Sequence, residues 1–377
     1  MIGAGGVGRV IVNHLAKAEG AKVKVGDIDR SRLRDIAKTS IGELSTSRLD
    51  AGDPDQVRRF IRSSDVVINA SHPRFNMLIM KQALRNGLHY IDLAGYPESQ
   101  MRQDSKWKKA GLVAILGMGE DPGLSNVMAR LGADMLDRID EIRIRDGETS
   151  ASDIYPFVAL FAPDVFLEEA ISPARYFEGG EMKTKPPMSG REIYPFPPPI
   201  GDVPVYSMDH EEVHTLPLYL SKKPSFVDFK LALTDEAASA IRLLEGLGLL
   251  SRKPVQVGTV KVSPLSLLLR LLPPPSQTVG KIRGNAGILV EVTGETSGER
   301  VLHRLYVTMS HDEAYEKYRS NATSYLTGTP TAICALMLAD GRIENRGVIV
   351  PECLNAETFI EEARKFDLEV QVEKARL

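Results

Sequence analysis

Through the first 123 residues two rhythms of apolar spacing take turns. Short runs in which apolar positions alternate or lie together are followed by stretches in which they recur at i, i+3 and i+4, the periods of a strand and of a helix. The pattern predicts helices over 8–19, 31–39, 77–86 and 98–110. It predicts strands ending at Asp27 and covering 47–50, 65–70, 89–94 and 113–116. Strands and helices in alternation give a parallel sheet covered on both faces, an α/β fold of the doubly wound Rossmann type.

Past Asn126 the texture changes. A helix over 124–136 leads into an alternating strand over 141–145. Further strands fall at 203–206, 226–233, 255–262, 287–293 and 301–308, with helices at 236–247 and 263–271. The last two strands flank Gly294-Glu295-Thr296-Ser297-Gly298, a hairpin signal, and the whole reads as an α+β domain on a mainly antiparallel sheet. The stretch 150–205 is rich in Pro and Gly and too long for an ordinary connection, so it is expected to be a lid or binding loop around one short helix at 164–170. After Ser320 the first style returns: an apolar helix over 329–339, a strand-like 347–352 and an amphipathic helix over 356–366, a piece expected to pack back on the first domain. The expected division is therefore 1–126 with 326–377 as a dinucleotide-binding domain, and 127–325 as a substrate-binding and dimerisation domain.

Composition narrows the functions open to such a chain. Its 377 residues allow two or three domains. A net charge of −3 without a Lys/Arg block gives no electrostatic case for a nucleic-acid partner. Cys334 and Cys353 sit in apolar surroundings without a Cys-x-x-Cys pattern, which reads as buried thiols in a reducing cytoplasm. The most apolar stretch, 264–272, contains Arg270 and is too short to span a bilayer, so no membrane partner is expected. His, Cys and carboxylate residues fall nowhere at ligand spacing, and no metal is expected. The chain opens on a glycine motif rather than a signal peptide. Only Met1 and Ile2 precede that motif where a strand needs roughly five residues, so the natural polypeptide is expected to begin a few residues upstream.

The chemistry is concentrated in that opening. Gly3, Gly5 and Gly8 give G-x-G-x-x-G, with Gly6 and Val7 between them and a helix-periodic run after. The first glycine permits a tight strand-to-helix turn, the second lets backbone approach a pyrophosphate, and the third lets helix pack on strand, so the helix N-terminus faces the phosphates. Asp27, nineteen residues past Gly8 and followed by Ile28, stands where an acidic side chain accepts from ribose hydroxyls. Asp50 either approaches the adenine or caps a turn before Pro54. Ligands in open α/β sheets sit outside the carboxyl ends of strands, which places Ala70, Ser71 and Pro73 at the nicotinamide half. His72 is either a proton carrier, its ordinary pKa lying near neutrality, or a polar loop residue. Asp27 favours NAD, while Arg30 and Arg32 leave NADP open.

With these residues, Tyr96, the stretch Gly119-Glu120-Asp121-Pro122-Gly123-Leu124-Ser125-Asn126, and Leu326-Thr327-Gly328 leading into 347–352, the chain resembles the saccharopine dehydrogenase-like superfamily over nearly its whole length. The likeness is greatest to the branch holding lysine 6-dehydrogenase and the saccharopine reductases. The resemblance implies a Rossmann domain completed by the C-terminal segment, and a second domain forming the substrate wall and a homodimer contact. It implies hydride transfer between NAD(P) and the carbon of a C–N bond in an amino acid or polyamine derivative. Residues aligning with Tyr96 and Asp121 lie near the substrate in the saccharopine-reducing branch. The Pro-rich region 180–200 is this chain's own, and the substrate-binding arginines of the family's branches are not aligned with any residue of this chain.

Such a reaction needs a carboxylate beside the cleft, to steady a substrate ammonium or take its proton. Asp121 and Asp92 both fall at strand carboxyl ends; Asp121 also reads as the N-cap of a helix whose first residue is Pro122. Tyr96 is a candidate pocket wall, and His303 and Arg319 are candidate partners for a substrate carboxylate. A carboxynorspermidine-type polyamine dehydrogenase, or a non-catalytic NAD(H) sensor, would use the same scaffold.

Overall fold

The computed structural model describes residues 1–40, 42–95, 98–155, 157–159, 161–273 and 275–377. They form two compact units. The first comprises Met1–Leu136, Leu218–Lys222 and Ser324–Gln371; the second comprises Asp137–Pro217, Lys223–Thr323 and Val372–Leu377.

The first unit runs α1 (Gly6–Leu15), β1 (Lys22–Asp27), α2 (Arg30–Thr39), β2 (Glu43–Arg48), α3 (Pro54–Phe60), β3 (Val66–Asn69), α4 (Asn76–Arg85), β4 (His89–Asp92), α5 (Glu98–Met101), α6 (Asp104–Lys109), β5 (Val113–Ile115) and α7 (Leu124–Asp134). Every strand pairing in it is parallel, and Gly347–Ile349 returns to pair with β5. Ile2 joins the two halves of the sheet by bridging to Gly26 on one side and Asn69 on the other. Its N–H donates to the Ile68 carbonyl and its own carbonyl accepts from Ala70, both at 2.8 Å. The strand order is thus β2-β1-Ile2-β3-β4-β5-(Gly347–Ile349), and it reverses at Ile2, where such sheets bind their ligands. Val23 and Val25 of β1 pack on Leu33 and Ile36 of α2. Ile2, Val67, Tyr90 and Trp107 belong to a second apolar cluster.

The second unit holds β6 (Arg138–Asp146), β7 (Thr149–Ala151), β8 (Ala174–Glu178), β9 (Glu181–Lys185), β10 (Glu192–Pro195), β11 (Asp202–Ser207), β12 (Phe226–Ala232), β13 (Val255–Val257), β14 (Val260–Val262), β15 (Arg283–Thr296) and β16 (Glu299–Ser310). Its main sheet is ordered β10-β11-β12-β6-β15-β16-(Gln371–Arg376); β12 and β6 are parallel, and β15 is antiparallel to both β6 and β16. The predicted hairpin is present and longer than expected. Ser297 and Gly298 turn it with φ of 52° and 81°, the positive pair that a right-twisted ribbon favours.

From Ala174 onward the Pro-rich stretch belongs to the sheet and is not a lid. It supplies β8 to β11, and Tyr194, Phe196 and Ile200 pack with Val205, Ala232 and Leu289. Carbonyls of its prolines accept from the sheet, Pro195 from Arg304 and Pro199 from Asn285, each at 3.1 Å. Proline carries no N–H, so this segment gives the sheet its carbonyls and side chains instead. The strand expected over 255–262 is the β13–β14 hairpin, turned at Gly258 with φ of 57°. Among the described residues no helix is long and apolar enough to cross a membrane.

Candidate active site

The first glycine turn is built for two different reasons. Gly3 has φ of 105°, and a Cβ there would lie 2.4 Å from the Ala70 carbonyl oxygen. A Cβ on Gly8 would lie 2.4 Å from the carbonyl of Gly3, and one on Gly6 would lie 2.7 Å from Ser324 Oγ. The fold itself demands Gly3 and Gly8, where the atoms met are backbone; at Gly6 the atom met is the end of a side chain, which can turn aside. Gly5 is the N-cap of α1 with φ of −74°, open to any residue, and an added Cβ would meet nothing within 4 Å. Glycine there suits a group lying against the turn from outside the chain. Among the described residues no side chain caps α1, so its first N–H groups, around Gly6 and Val7, are ready for an anion. A dinucleotide's diphosphate fits this cradle.

Asp27 ends β1 almost wholly buried. Its Oδ2 accepts from the Ala4 N–H at 2.7 Å and its Oδ1 from the Asp29 N–H at 2.8 Å. Each oxygen keeps a second lone pair for a hydroxyl. Ile28 beside it is 56 % exposed, an uncovered apolar side chain next to the acid. Asp50 closes a turn, its carboxylate accepting from Gly52 N–H at 2.8 Å, while the cap of α3 is Asp53.

At the carboxyl end of β3 the organiser is Asn69, which sequence reasoning passed over. Its Oδ1 accepts from the N–H and hydroxyl of Ser71, and its Nδ2 donates to Asn76, whose own amide donates to the Ala94 carbonyl. The amide pair thereby ties the loop 70–73 to the end of β4. An Asn inside an apolar strand was the signal available. His72 turns its Nδ1 onto the Arg74 N–H at 3.1 Å, where it caps the 3-10 turn Pro73–Phe75.

Asp92 is buried, and its carboxylate accepts from the Tyr90 hydroxyl at 2.9 Å, Gln100 Nε2 at 2.7 Å and the Gly117 N–H at 2.8 Å. Burial, then the charge of Asp92, pushes the Tyr90 phenol well above its ordinary pKa. This carboxylate pins the exit of β4 to the exit of β5. Tyr96 lies outside the described residues.

Asp121 is not the expected helix cap. Gly123 caps α7 instead, with φ of 136° and its N–H donating to Asn126 Oδ1 at 2.9 Å. The cause is the loop's tightness. Gly119 N–H donates to the Pro122 carbonyl at 2.7 Å, and a Cβ on Gly123 would lie 2.1 Å from the Gly119 oxygen. Asp121 therefore rides on a closed loop, joined to Pro122 by a cis peptide bond. That loop is anchored by remote sequence: Asn126 Nδ2 donates to Glu352 at 3.0 Å, Arg130 to the Glu352 carbonyl, and Thr331 to the Met118 carbonyl. Glu352 and Asn126 are wholly buried. The first unit thus brings the glycine turn, the loop 70–73, Asp92 and the loop 117–123 together at the carboxyl ends of its parallel strands.

In the second unit, His303 is buried on β16 with neither ring nitrogen hydrogen-bonded among the described residues, and burial lowers its pKa. Arg319 caps the helix His311–Tyr318 and lies 5.0 Å over the Tyr315 ring. Against the expectation of no such grouping, ligand atoms of His210, Glu211 and Glu212 lie within 4.8 Å of one another. His210 stacks on Phe229 at 3.9 Å, and its Nδ1 is 2.5 Å from Glu212. Burial alone would lower its pKa, but Glu212 and Glu211 raise it to about 10, so the cluster contains its own cation. Glu169 is pushed up to about 8, first by burial. Asp209 next to them is bound by Arg175 at 2.7 and 2.5 Å.

Comparisons with known proteins bear on the family and the fold. The family model of the saccharopine dehydrogenase NADP binding domain matches residues 1–115, and that of the saccharopine dehydrogenase C-terminal domain matches 119–366. The chain is 29 % identical to a carboxynorspermidine synthase of Vibrio alginolyticus, over 99 % of this chain and 96 % of that protein. It is 27 % identical to a carboxyaminopropylagmatine dehydrogenase of Synechocystis, over 96 % and 93 %. The apo saccharopine dehydrogenase (L-Glu forming) of Saccharomyces cerevisiae shares the fold, with a TM-score of 0.77 at 16 % identity over 99 % of this chain and 98 % of that one. Glycine turn, strand order and matched domains lead to one conclusion: this chain is an NAD(P)-dependent oxidoreductase belonging to the saccharopine dehydrogenase family.

Proposed function

We propose that the protein transfers hydride between NAD and the carbon of a C–N bond in a carboxyl-bearing polyamine. The observation that carries this reading is the full-length likeness to two relatives, each named for such a compound. It favours the polyamine substrate over the lysine-type one, although both fit the scaffold. The bound nicotinamide supplies the hydride acceptor or donor. In the oxidative direction the substrate carbon loses hydride and its nitrogen loses a proton, leaving a C=N bond that water can hydrolyse.

The chain's residues do the rest. The turn Gly3–Gly8 holds the diphosphate and Asp27 the ribose hydroxyls, with Ile28 alongside. The loop Ala70, Ser71 and Pro73, fixed by Asn69, orients the nicotinamide half. Asp121, released from capping, accepts the amine proton, and Asp92 keeps the neighbouring backbone in place. The second unit carries the substrate wall and the contact of a homodimer, and Cys334 and Cys353 stay as thiols in a reducing cytoplasm.

The test is substrate profiling of the purified protein, following reduced nicotinamide by absorbance. Carboxynorspermidine or carboxyaminopropylagmatine should drive NAD reduction, with lysine and saccharopine inert. Turnover of lysine or saccharopine alone overturns the substrate assignment; light scattering at the monomer mass overturns the dimer.

A further inference from the structure

The turn after β1 carries a second carboxylate that the ribose role of Asp27 does not use. Asp29 is the N-cap of α2. Its Oδ1 accepts from the Ser31 N–H at 2.7 Å and from the Ser31 hydroxyl at 2.6 Å, and its Oδ2 lies 3.7 Å from Arg32 Nε. The side chain is 43 % exposed, whereas Asp27 is 8 % exposed and held on both oxygens by backbone N–H groups. The two acids therefore differ in kind. Asp27 is part of the glycine turn, since it fixes Ala4. Asp29 faces solvent at the end of the strand that presents the ribose-binding acid.

We propose that Asp29 is the residue that closes this site to a 2′-phosphate and makes the protein selective for NAD(H) over NADP(H). A ribose held by Asp27 would present its 2′ substituent to the turn Asp27–Arg30. A phosphate there needs free N–H donors of a helix N-terminus or an uncommitted guanidinium. Here α2 already holds an anion of the chain's own: Asp29 takes the Ser31 N–H and draws Arg32 toward itself. Arg30, exposed on the first turn of α2, and Arg48, which lies across from Asp27 in the register of β1 and β2, pair with neither carboxylate among the ion pairs of the described residues. A 2′-phosphate of nearly two negative charges would be brought against the carboxylates of Asp27 and Asp29. This deepens the cofactor reading above and rests on it.

Direct binding of NADH and NADPH, by fluorescence or calorimetry, tests it without reference to turnover. The wild-type protein should bind NADH at least tenfold more tightly than NADPH. Asp29→Asn keeps the cap, because an amide oxygen still accepts from Ser31, and removes the charge. It should tighten NADPH by roughly tenfold, the equivalent of about 1.4 kcal/mol, with NADH changed less than about threefold. Asp29→Ser, also a good cap, should act in the same direction if the first variant folds poorly. Asp27→Asn should weaken both nucleotides, because Ala4 loses a carboxylate partner. Equal wild-type affinities, or an unchanged NADPH:NADH ratio in both Asp29 variants, overturn the proposal. Binding of neither nucleotide to the wild type would instead overturn the dinucleotide site itself.

Discussion

At the scale of single residues, glycines and aspartates of the same motif do different work, and substitution separates them. Gly5→Ala meets no atom and keeps an allowed φ, so stability should change by no more than about 1 kcal/mol. Nucleotide affinity should nonetheless drop at least tenfold, as a methyl group would stand where the diphosphate approaches. Gly3→Ala should lose the fold, its Cβ being driven into Ala70 at a φ that Ala resists. Thermal melts and NADH titrations of both variants check the pair; Gly5→Ala with full affinity removes the diphosphate from the turn. The two aspartates part in the same way. Asp92→Asn turns an amide toward donors already bound to the carboxylate, leaving a buried group unsatisfied for about 1–3 kcal/mol of stability. Its turnover per folded molecule should stay within a few-fold. Asp121→Asn should melt like the wild type and turn over on the order of a hundredfold more slowly, the size of a lost proton transfer. Rates per folded molecule, with stability measured alongside, decide between the roles; an unchanged rate for Asp121→Asn would remove it from proton transfer.

At the scale of elements, what sequence revealed depended on whether an element declared itself locally. The alternation in 22–27, with Lys22 exposed and Val23 and Val25 buried, did so, as did the short apolar runs 66–69 and 113–115 set between helical stretches. β2 hid its start because, as an edge strand, Glu43-Leu44-Ser45-Thr46-Ser47-Arg48 has little to bury. β11 was legible as the alternating run 203–206, but β8 to β10 hid among prolines and glycines whose turns read as a lid or binding loop, although Tyr194, Phe196 and Ile200 form a core. The site was half legible for the same reason. Glycine spacing and Asp27 are local, whereas the amide pair Asn69–Asn76 and the bond from Asn126 to Glu352, 226 residues away, exist only after folding. The latter makes a prediction for the loop carrying Asp121. Glu352→Ala removes the carboxylate to which Asn126 Nδ2 donates and should destabilise the protein by about 1–3 kcal/mol. The loosened loop should lower kcat while nucleotide affinity, set at the glycine turn, stays. Hydrogen exchange over 117–126 should rise in this variant; protection equal to the wild type would mean that Glu352 does not hold the loop.

At the scale of the whole molecule, stability should peak near neutral pH, with opposite slopes traced to different residues. In the first unit burial lowers His14 to about 4, and in the second burial lowers His311 to about 4. Each is neutral when folded and takes a proton more readily when unfolded. Its contribution is therefore present above the ordinary 6.5 and is lost as pH falls toward 4. The alkaline side belongs to the second unit. Burial and the acids around it raise Glu169 to about 8, and its carboxylate neighbours raise His210 to about 10 against burial. Both hold protons in the fold that the unfolded chain releases, Glu169 from its ordinary 4.5 upward and His210 from 6.5 upward. Their contributions are complete below those ordinary values and are lost as pH climbs through the folded ones. The melting temperature should thus rise from pH 4 to the vicinity of 6.5, then decline toward 10. Glu169→Gln carries no charge to bury, so it should flatten the decline up to about 8 and leave the part above it to His210. Melting curves of wild type and variant across this range decide the matter. A wild-type midpoint that climbs between pH 7 and 9 would mean that Glu169 is already ionised and His210 already neutral at pH 7, and the cation inside that cluster would have to come from elsewhere.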